Sequence, residues 1–387
     1  MNRRRVFFYV QHLLGIGHLQ RAAILSRALA RADFDVLLVS GGAAVPDLDL
    51  TGFRLLQLPP LRARDAGLRE LAELDGTPLD DALRARRVRA LVGALQAETP
   101  DILITEQFPF GRTQLRFELV PLLEAAHALS RRPAIFASVR DVLRDTVRPE
   151  RVAETLATFD AYFDGVLVHA DPAIVGLDRS FAGWPHIMDR AHYTGYVAQE
   201  DLPSRSACDA GVAEAGVAEV IVSAGGGAVG GPLLRAALAA RPLTSLASRP
   251  WRLLIGGNLS DAEQSALRSQ AGAGVTIEPA RTDFPALLAR SALSISQAGY
   301  NTVVETLIHG DRAVLVPFAT ARETEQTRRA QLLAERGLVQ MVPAETLDGR
   351  ALADAADRAM AAPSIRSFPR CNANGGPATA RLLASMA

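Results

Sequence analysis

Short apolar runs rich in valine, isoleucine and leucine alternate with longer helix-like stretches along almost the whole chain, and the alternation starts twice. In the first half Val6–Val10, Val36–Ser40, Arg54–Leu58, Ile102–Thr105, Ala134–Ser138 and Gly165–His169 read as strands. In the second half Val220–Ser223, Arg252–Ile255, Val275–Glu278, Leu293–Ser296 and Ala313–Val316 do the same. Strands apolar on both faces and separated by helices pair through crossovers, so each half predicts a parallel sheet covered by helices. A chain of 387 residues, 49% of them hydrophobic, suits two such cores rather than one. The expected division is 1–200, 201–370 and a terminal helix within 371–387 that packs back on the first domain. The linker is expected in the turn-rich stretch from Tyr193 to Ser206. The first helix is expected from about His18 to Arg31. Ile24, Leu25, Ala28 and Leu29 would face the sheet, with Gln20, Arg21, Arg27 and Arg31 toward solvent.

The charge inventory excludes several chemistries. The 42 basic residues are all arginine, with no lysine anywhere. A phosphate loop that needs its lysine and a pyridoxal Schiff base are therefore both ruled out. Any anion must be held by arginine, backbone N–H groups or helix ends. A formal net charge of +0 gives no reason to expect a nucleic acid partner. Two cysteines, Cys208 and Cys371, make neither a disulfide framework nor a zinc site, and no metal site is expected. The start of the chain reads as a buried strand rather than a leader, and no run is long enough to span a membrane, so a cytoplasmic protein is expected. The arginine-rich helix Leu83–Val92 reads either as a solvated face or as a peripheral contact with anionic lipid.

Three strand-to-helix junctions carry glycine: Gly15-Ile16-Gly17-His18, Ser223-Ala224-Gly225-Gly226-Gly227, and Gln297-Ala298-Gly299-Tyr300-Asn301-Thr302. In open α/β sheets ligands collect outside the carboxyl ends of strands, where helix N-termini aim their N–H groups. Two such turns in the second half, followed by Glu305 between apolar neighbours, suit a nucleotide whose ribose hydroxyls need an acceptor.

The stretch Ser296 to Glu305, with Val314-Leu315-Val316-Pro317-Phe318 and Glu325-Gln326, resembles the donor-binding half of glycosyltransferase family 28. The resemblance implies a GT-B fold, with two Rossmann-like domains whose parallel sheets face an interdomain cleft. It implies that Gly299, Tyr300, Asn301 and Thr302 hold the diphosphate of a nucleotide sugar, a UDP-sugar in that family, and that Glu305 holds its ribose. Gln326 would contact the sugar, beside Glu325 where the family has a second glutamine. The loop Pro279 to Phe284 would read the base, largely through backbone. Gly226 and Gly227 would line the same donor, and Gly17-His18 matches the end of the family's first glycine loop. The family's Asn-Pro-x-Arg hinge is replaced by Gly195-Tyr196-Val197-Ala198-Gln199. In the first half, Val10 to His18, Phe108 to Arg112 and Arg140-Asp141 resemble a bacterial group of sequences assigned as glycosyltransferases.

Inverting sugar transfer needs a base for the acceptor hydroxyl and stabilisation of the departing diphosphate. His18, at a helix N-terminus that disfavours its charged form, is the first candidate base. Glu106 is the rival. Asp141 is a third candidate or the ion-pair partner of Arg140, and His12 could line the same loop. His127, His169, His186, His192 and His309 are expected in structural or surface roles. No cofactor is expected beyond the donor itself, and the acceptor is left open. A sugar-nucleotide epimerase or hydrolase and a non-catalytic nucleotide-sugar-binding subunit remain the alternatives.

Overall fold

The structure is a computed structural model describing residues 3–13, 15–46, 48–64, 70–143, 148–198, 218–225, 230–256, 259–318 and 324–386. It divides into two compact units, Met1–Ala198 with Asn372–Ala387, and Gln199–Cys371.

In the first unit the described strands are β1 (Arg5–Val10), β2 (Asp35–Ser40), β3 (Arg54–Gln57), β4 (Arg62–Ala63), β5 (Leu71–Ala72), β6 (Ile102–Glu106), β7 (Ala134–Arg140), β8 (Gly165–His169) and β9 (Ala191–Tyr193). Seven form one sheet in the order β3-β2-β1-β6-β7-β8-β9, and β4 and β5 make a separate pair. Every pairing in the large sheet is parallel. Val6 lies opposite both Val36 and Ile102, so β1 is a central strand. Its side chains Val6 to Val10 are all buried, as an apolar run flanked on both sides requires. Helices α1 (Gly17–Arg31), α2 (Asp81–Glu98), α3 (Arg116–His127), α4 (Pro149–Tyr162) and the short α5 (Trp184–Ile187) connect the strands.

In the second unit β10 (Val220–Ser223), β11 (Trp251–Ile255), β12 (Val275–Pro279), β13 (Leu293–Ser296), β14 (Ala313–Leu315) and β15 (Gln340–Met341) form a parallel sheet in the order β12-β11-β10-β13-β14-β15. Its described helices are α6 (Gly231–Ala240), α7 (Asp261–Gln270), α8 (Phe284–Arg290), α9 (Tyr300–His309), α10 (Glu325–Glu335) and α11 (Gly349–Ala361). Both sheets reverse their strand order once, between β1 and β6 and between β10 and β13. These reversals are the switch points where a doubly wound sheet opens a ligand crevice.

The chain returns to the first unit through α12 (Gly375–Ser385), whose Ala380 and Leu383 join the core of Leu25, Leu29 and Val197. Tyr196 N–H donates to the Asn372 carbonyl at 2.7 Å and Gly375 N–H to the Tyr196 carbonyl at 2.9 Å. A Cβ on Gly375 would sit 2.6 Å from the Gly195 carbonyl oxygen, so glycine is required by that close approach.

Three expectations need correction. The stretch from Tyr193 is not linker at its start: Tyr193 ends β9, and Thr194 to Val197 are buried in the first unit. The rest, Asp201 to Ser206, lies outside the described residues, as does Cys208. Arg21 does not face solvent; it is 1% exposed, because it shares the helical stripe of Leu25 and Ala28. The basic helix α2 is not uniformly a surface face either. Arg87 falls in register with Leu83, Leu91 and Leu95 and is wholly buried.

Candidate functional sites at the two switch points

Each unit carries one candidate site at the carboxyl edge of its sheet. In the first unit, β1 leads into α1 and places His18 on the second residue of that helix, while Glu106 ends the neighbouring β6. His18 Nδ1 lies 2.9 Å from Glu106 Oε1. The two rival bases of the sequence are therefore partners, with the carboxylate orienting the imidazole and leaving Nε2 for a reacting group. Arg21 donates to the same Oε1 and forms a buried ion pair with Glu106. Ser138 Oγ donates to Oε2 at 2.7 Å.

Burial holds the His18 imidazole well below the ordinary histidine range, and the guanidiniums of Arg140, Arg112 and Arg21 and the His12 ring push the same way. His18 is thus neutral at neutral pH, as a proton acceptor must be. The loop behind it is tightly built. Gln107 and Arg112 both have positive φ, at 68° and 58°, and Gln107 N–H donates to the Ser138 carbonyl at 2.9 Å. Asp141 is buried and its carboxylate accepts from the Val142 N–H at 2.9 Å, one residue past the end of β7. Gly17 opens α1, whose N-cap makes no side-chain hydrogen bond.

In the second unit, Gly299 caps α9 immediately after β13. The N-cap makes no side-chain hydrogen bond and no acidic residue sits in the first turn, so no carboxylate of that turn offsets the positive end of the helix dipole. Gly299 has φ −64° and ψ 146°, a conformation open to any residue, and a Cβ there would meet nothing within 4 Å. The fold alone does not require glycine at this position. Gly299→Ala is therefore expected to change unfolding free energy by less than about 0.5 kcal/mol while weakening nucleotide binding. Thermal melts and ligand titrations of the same preparation check both halves.

One turn into α9, Glu305 is half-buried and has no hydrogen-bond partner among the described residues. Burial alone pushes its carboxyl up to about 7. Thr302 and Asn301 are half-buried in the first turn, whereas the Tyr300 side chain is buried with the Arg329 guanidinium 5.8 Å from its ring centre. Tyr300 can therefore offer a ligand only its backbone. The same holds for Phe284, whose side chain packs with Ile221, Leu254, Leu287 and Leu288. On α10, Gln326 Oε1 accepts from the Phe318 N–H at 3.1 Å, which leaves its two amide N–H bonds without a partner among the described residues. Glu325 departs from glutamine because it pairs with Arg329, 2.6 Å away, one turn along the helix. Arg329 in turn donates to the Ala298 carbonyl at 2.8 Å and so braces the turn ahead of Gly299. Gly225 has φ 66°, a left-handed turn that favours glycine, while Gly226 and Gly227 lie outside the described residues.

Arg21, Ser138 and Arg329 were not singled out by the sequence. The readable signal for Arg21 is an arginine on the apolar stripe of its helix. For Arg329 the readable signal is its i,i+4 spacing from Glu325, while for Ser138 no local signal exists, since it gains its partner through tertiary pairing.

Two Rossmann-like units, each with a candidate site at its switch point, make a GT-B-type fold. Residues 221–374 match the glycosyltransferase family 28 C-terminal domain, and over that stretch the chain is family 28-like. Among curated relatives, the UDP-N-acetylglucosamine–N-acetylmuramyl-(pentapeptide) pyrophosphoryl-undecaprenol N-acetylglucosamine transferase of Azoarcus sp. (strain BH72) is 33% identical over 177 residues, which are 44% of this chain and 48% of the relative. The chain thus spans about half the length of that relative. The calicheamicin glycosyltransferase CalG4 has the same fold at a TM-score of 0.67 and 15% identity, over 100% of this chain and 98% of that one. MurG of Acinetobacter baumannii does so at 0.58 and 16% identity, over 99% and 100%.

Proposed function

We propose that this chain is an inverting, metal-independent glycosyltransferase that moves a sugar from a nucleoside diphosphate, UDP by analogy with the relatives' donor, to a hydroxyl of a lipid-linked or glycan acceptor. The donor belongs to the second unit and the acceptor to the first. His18 Nε2 takes the hydroxyl proton as the acceptor oxygen bonds to the anomeric carbon. The bond from that carbon to the diphosphate breaks on the opposite face, and its electron pair leaves with the phosphate oxygen. The N-terminal end of α9 faces the developing charge with its dipole. Glu305 accepts from the ribose hydroxyls, and Gln326 donates to the sugar, beside Glu325. We place the work at the cytoplasmic face of the membrane, since the relatives' acceptor is a lipid. Among the described residues no helix is long and apolar enough to cross a membrane.

The observation that carries this reading is Glu305: a desolvated carboxyl without a partner among the described residues, in the second turn of a helix whose N-cap makes no side-chain hydrogen bond. Its carboxyl near 7 gives a test. Ribose hydroxyls favour the ionised form, so binding of a nucleotide sugar releases a proton and tightens as pH rises through about 7. A nucleotide sugar is the right probe because, unlike a free terminal phosphate with its second pKa near about 6, its bridged diphosphate does not titrate there. Calorimetry in buffers of different ionisation enthalpy reads the proton. Glu305→Gln should bind more weakly and lose the pH dependence. A chain that binds no nucleoside diphosphate sugar at any pH ends the proposal.

A further inference from the structure

The His18–Glu106 pair does not end at Glu106. Behind it, Ser138 Oγ lies 3.1 Å from His169 Nε2, and His169 Nδ1 lies 2.8 Å from Thr194 Oγ1. Glu106, Ser138 and His169 come from three consecutive strands. Register sets Glu106 opposite Ser138 and Arg140 opposite His169, so all lie on one sheet face, with His169 diagonal to Ser138. Ser138 and His169 are completely buried and Thr194 is 2% exposed. Polar groups buried at that depth are tolerated only when their hydrogen bonds are made.

The proton positions follow by elimination along the chain. Glu106 is in an ion pair with Arg21, so both its oxygens accept. The hydroxyl proton of Ser138 is then committed to Glu106 Oε2, and Ser138 Oγ can only accept from His169. His169 therefore carries its proton on Nε2, and its bare Nδ1 accepts from Thr194 Oγ1. The carbonyls of Val168 and Gly195, each 3.4 Å from that hydroxyl, are weaker competitors. At the other end, His18 donates from Nδ1 to Oε1. Every hydrogen bond points toward Glu106.

We propose that Ser138, His169 and Thr194 are positioning residues, forming a buried one-directional hydrogen-bond chain that locks the Glu106 rotamer and thereby fixes His18 in the tautomer with a bare Nε2. The inference rests on the reading of His18 as the base only for its effect on rate; the tautomers are a property of the folded chain. The charged groups around His18 are Arg21 on its own helix, Arg112 from the loop after β6, Arg140 at the end of β7, His12 from the loop after β1, and Glu106.

The test is a nitrogen-15 NMR measurement on the full chain labelled in its 7 histidines, assigned with His18→Gln and His169→Gln. In the unsubstituted protein His169 is expected protonated on Nε2 and His18 on Nδ1. His169 protonated on Nδ1 would reverse the chain and overturn the proposal, whatever the activity. Ser138→Ala, confirmed folded by circular dichroism, is expected to convert His18 to a mixture of tautomers. It should also lower kcat by roughly 10–100-fold with the donor KM unchanged, whereas His169→Gln, which keeps an N–H toward Ser138, should retain most of the unsubstituted rate. A Ser138→Ala protein with the original His18 tautomer and kcat overturns the proposal. Activity that survives His18→Ala instead defeats the reading of His18 as base while leaving the tautomer result standing.

Discussion

Replacing His18 by alanine is expected to slow sugar transfer by roughly 10²–10⁴-fold, the usual contribution of a positioned general base, while nucleotide-sugar binding by the second unit is retained. Glu106→Gln should fall in the same direction, because an amide keeps the shape but offers His18 Nδ1–H a poorer and reorientable partner. The pH profile adds a sign. The base must be neutral, and burial together with four cationic or titratable neighbours holds it so. Turnover is therefore expected to persist down through about pH 6.5, the ordinary histidine value, and to decline only at lower pH. Initial rates of nucleotide release in the presence of acceptor measure both effects. A His18→Ala protein with undiminished turnover would transfer the role to another group.

The second large effect concerns stability. Arg87 and Glu118 face each other with both side chains at 0% exposure. Arg87 Nε donates to Glu118 Oε2 and one terminal nitrogen to Oε1, each at 2.7 Å. The remaining hydrogen bonds go to the carbonyls of Gly41 and Pro59 and to Gln11 Oε1, and Tyr9 donates to Glu118. Arg87→Ala leaves an uncompensated carboxylate in the core and should cost about 3–5 kcal/mol. Arg87→Met with Glu118→Leu should recover most of it, since an apolar pair of similar volume avoids stranding a charge. Denaturant unfolding monitored in the first unit checks the difference. The single variant should also loosen Gln11 and His12, because the arginine ties α2 to the end of β1.

How much was legible beforehand depended on whether a feature is local. Strands such as Val220–Ser223 and Leu293–Ser296 stood out because both faces are apolar over a short run, and the structure returns them with the same ends. The two-residue strands β4, β5 and β15 carry no periodic signal at all. The glycine turn at Gly299 and the carboxylate at Glu305 lie within two turns of one helix, so their spacing survives in the sequence. The His18–Glu106 partnership does not, since 88 residues separate the two and only the parallel pairing of β1 with β6 brings them together. Arginine was assigned to solvent by default. Arg21 and Arg87 each broke that default by finding a carboxylate reached through tertiary packing.

The return of Asn372–Ala387 to the first unit makes the second unit, topologically, a long insertion near the end of the first. A nascent chain therefore has the whole of Gln199–Cys371 synthesised before α12. The core begun by β1 is the last to be sealed, and until Ala380 and Leu383 arrive, the surface of α1 that they cover stays open to water or to a chaperone.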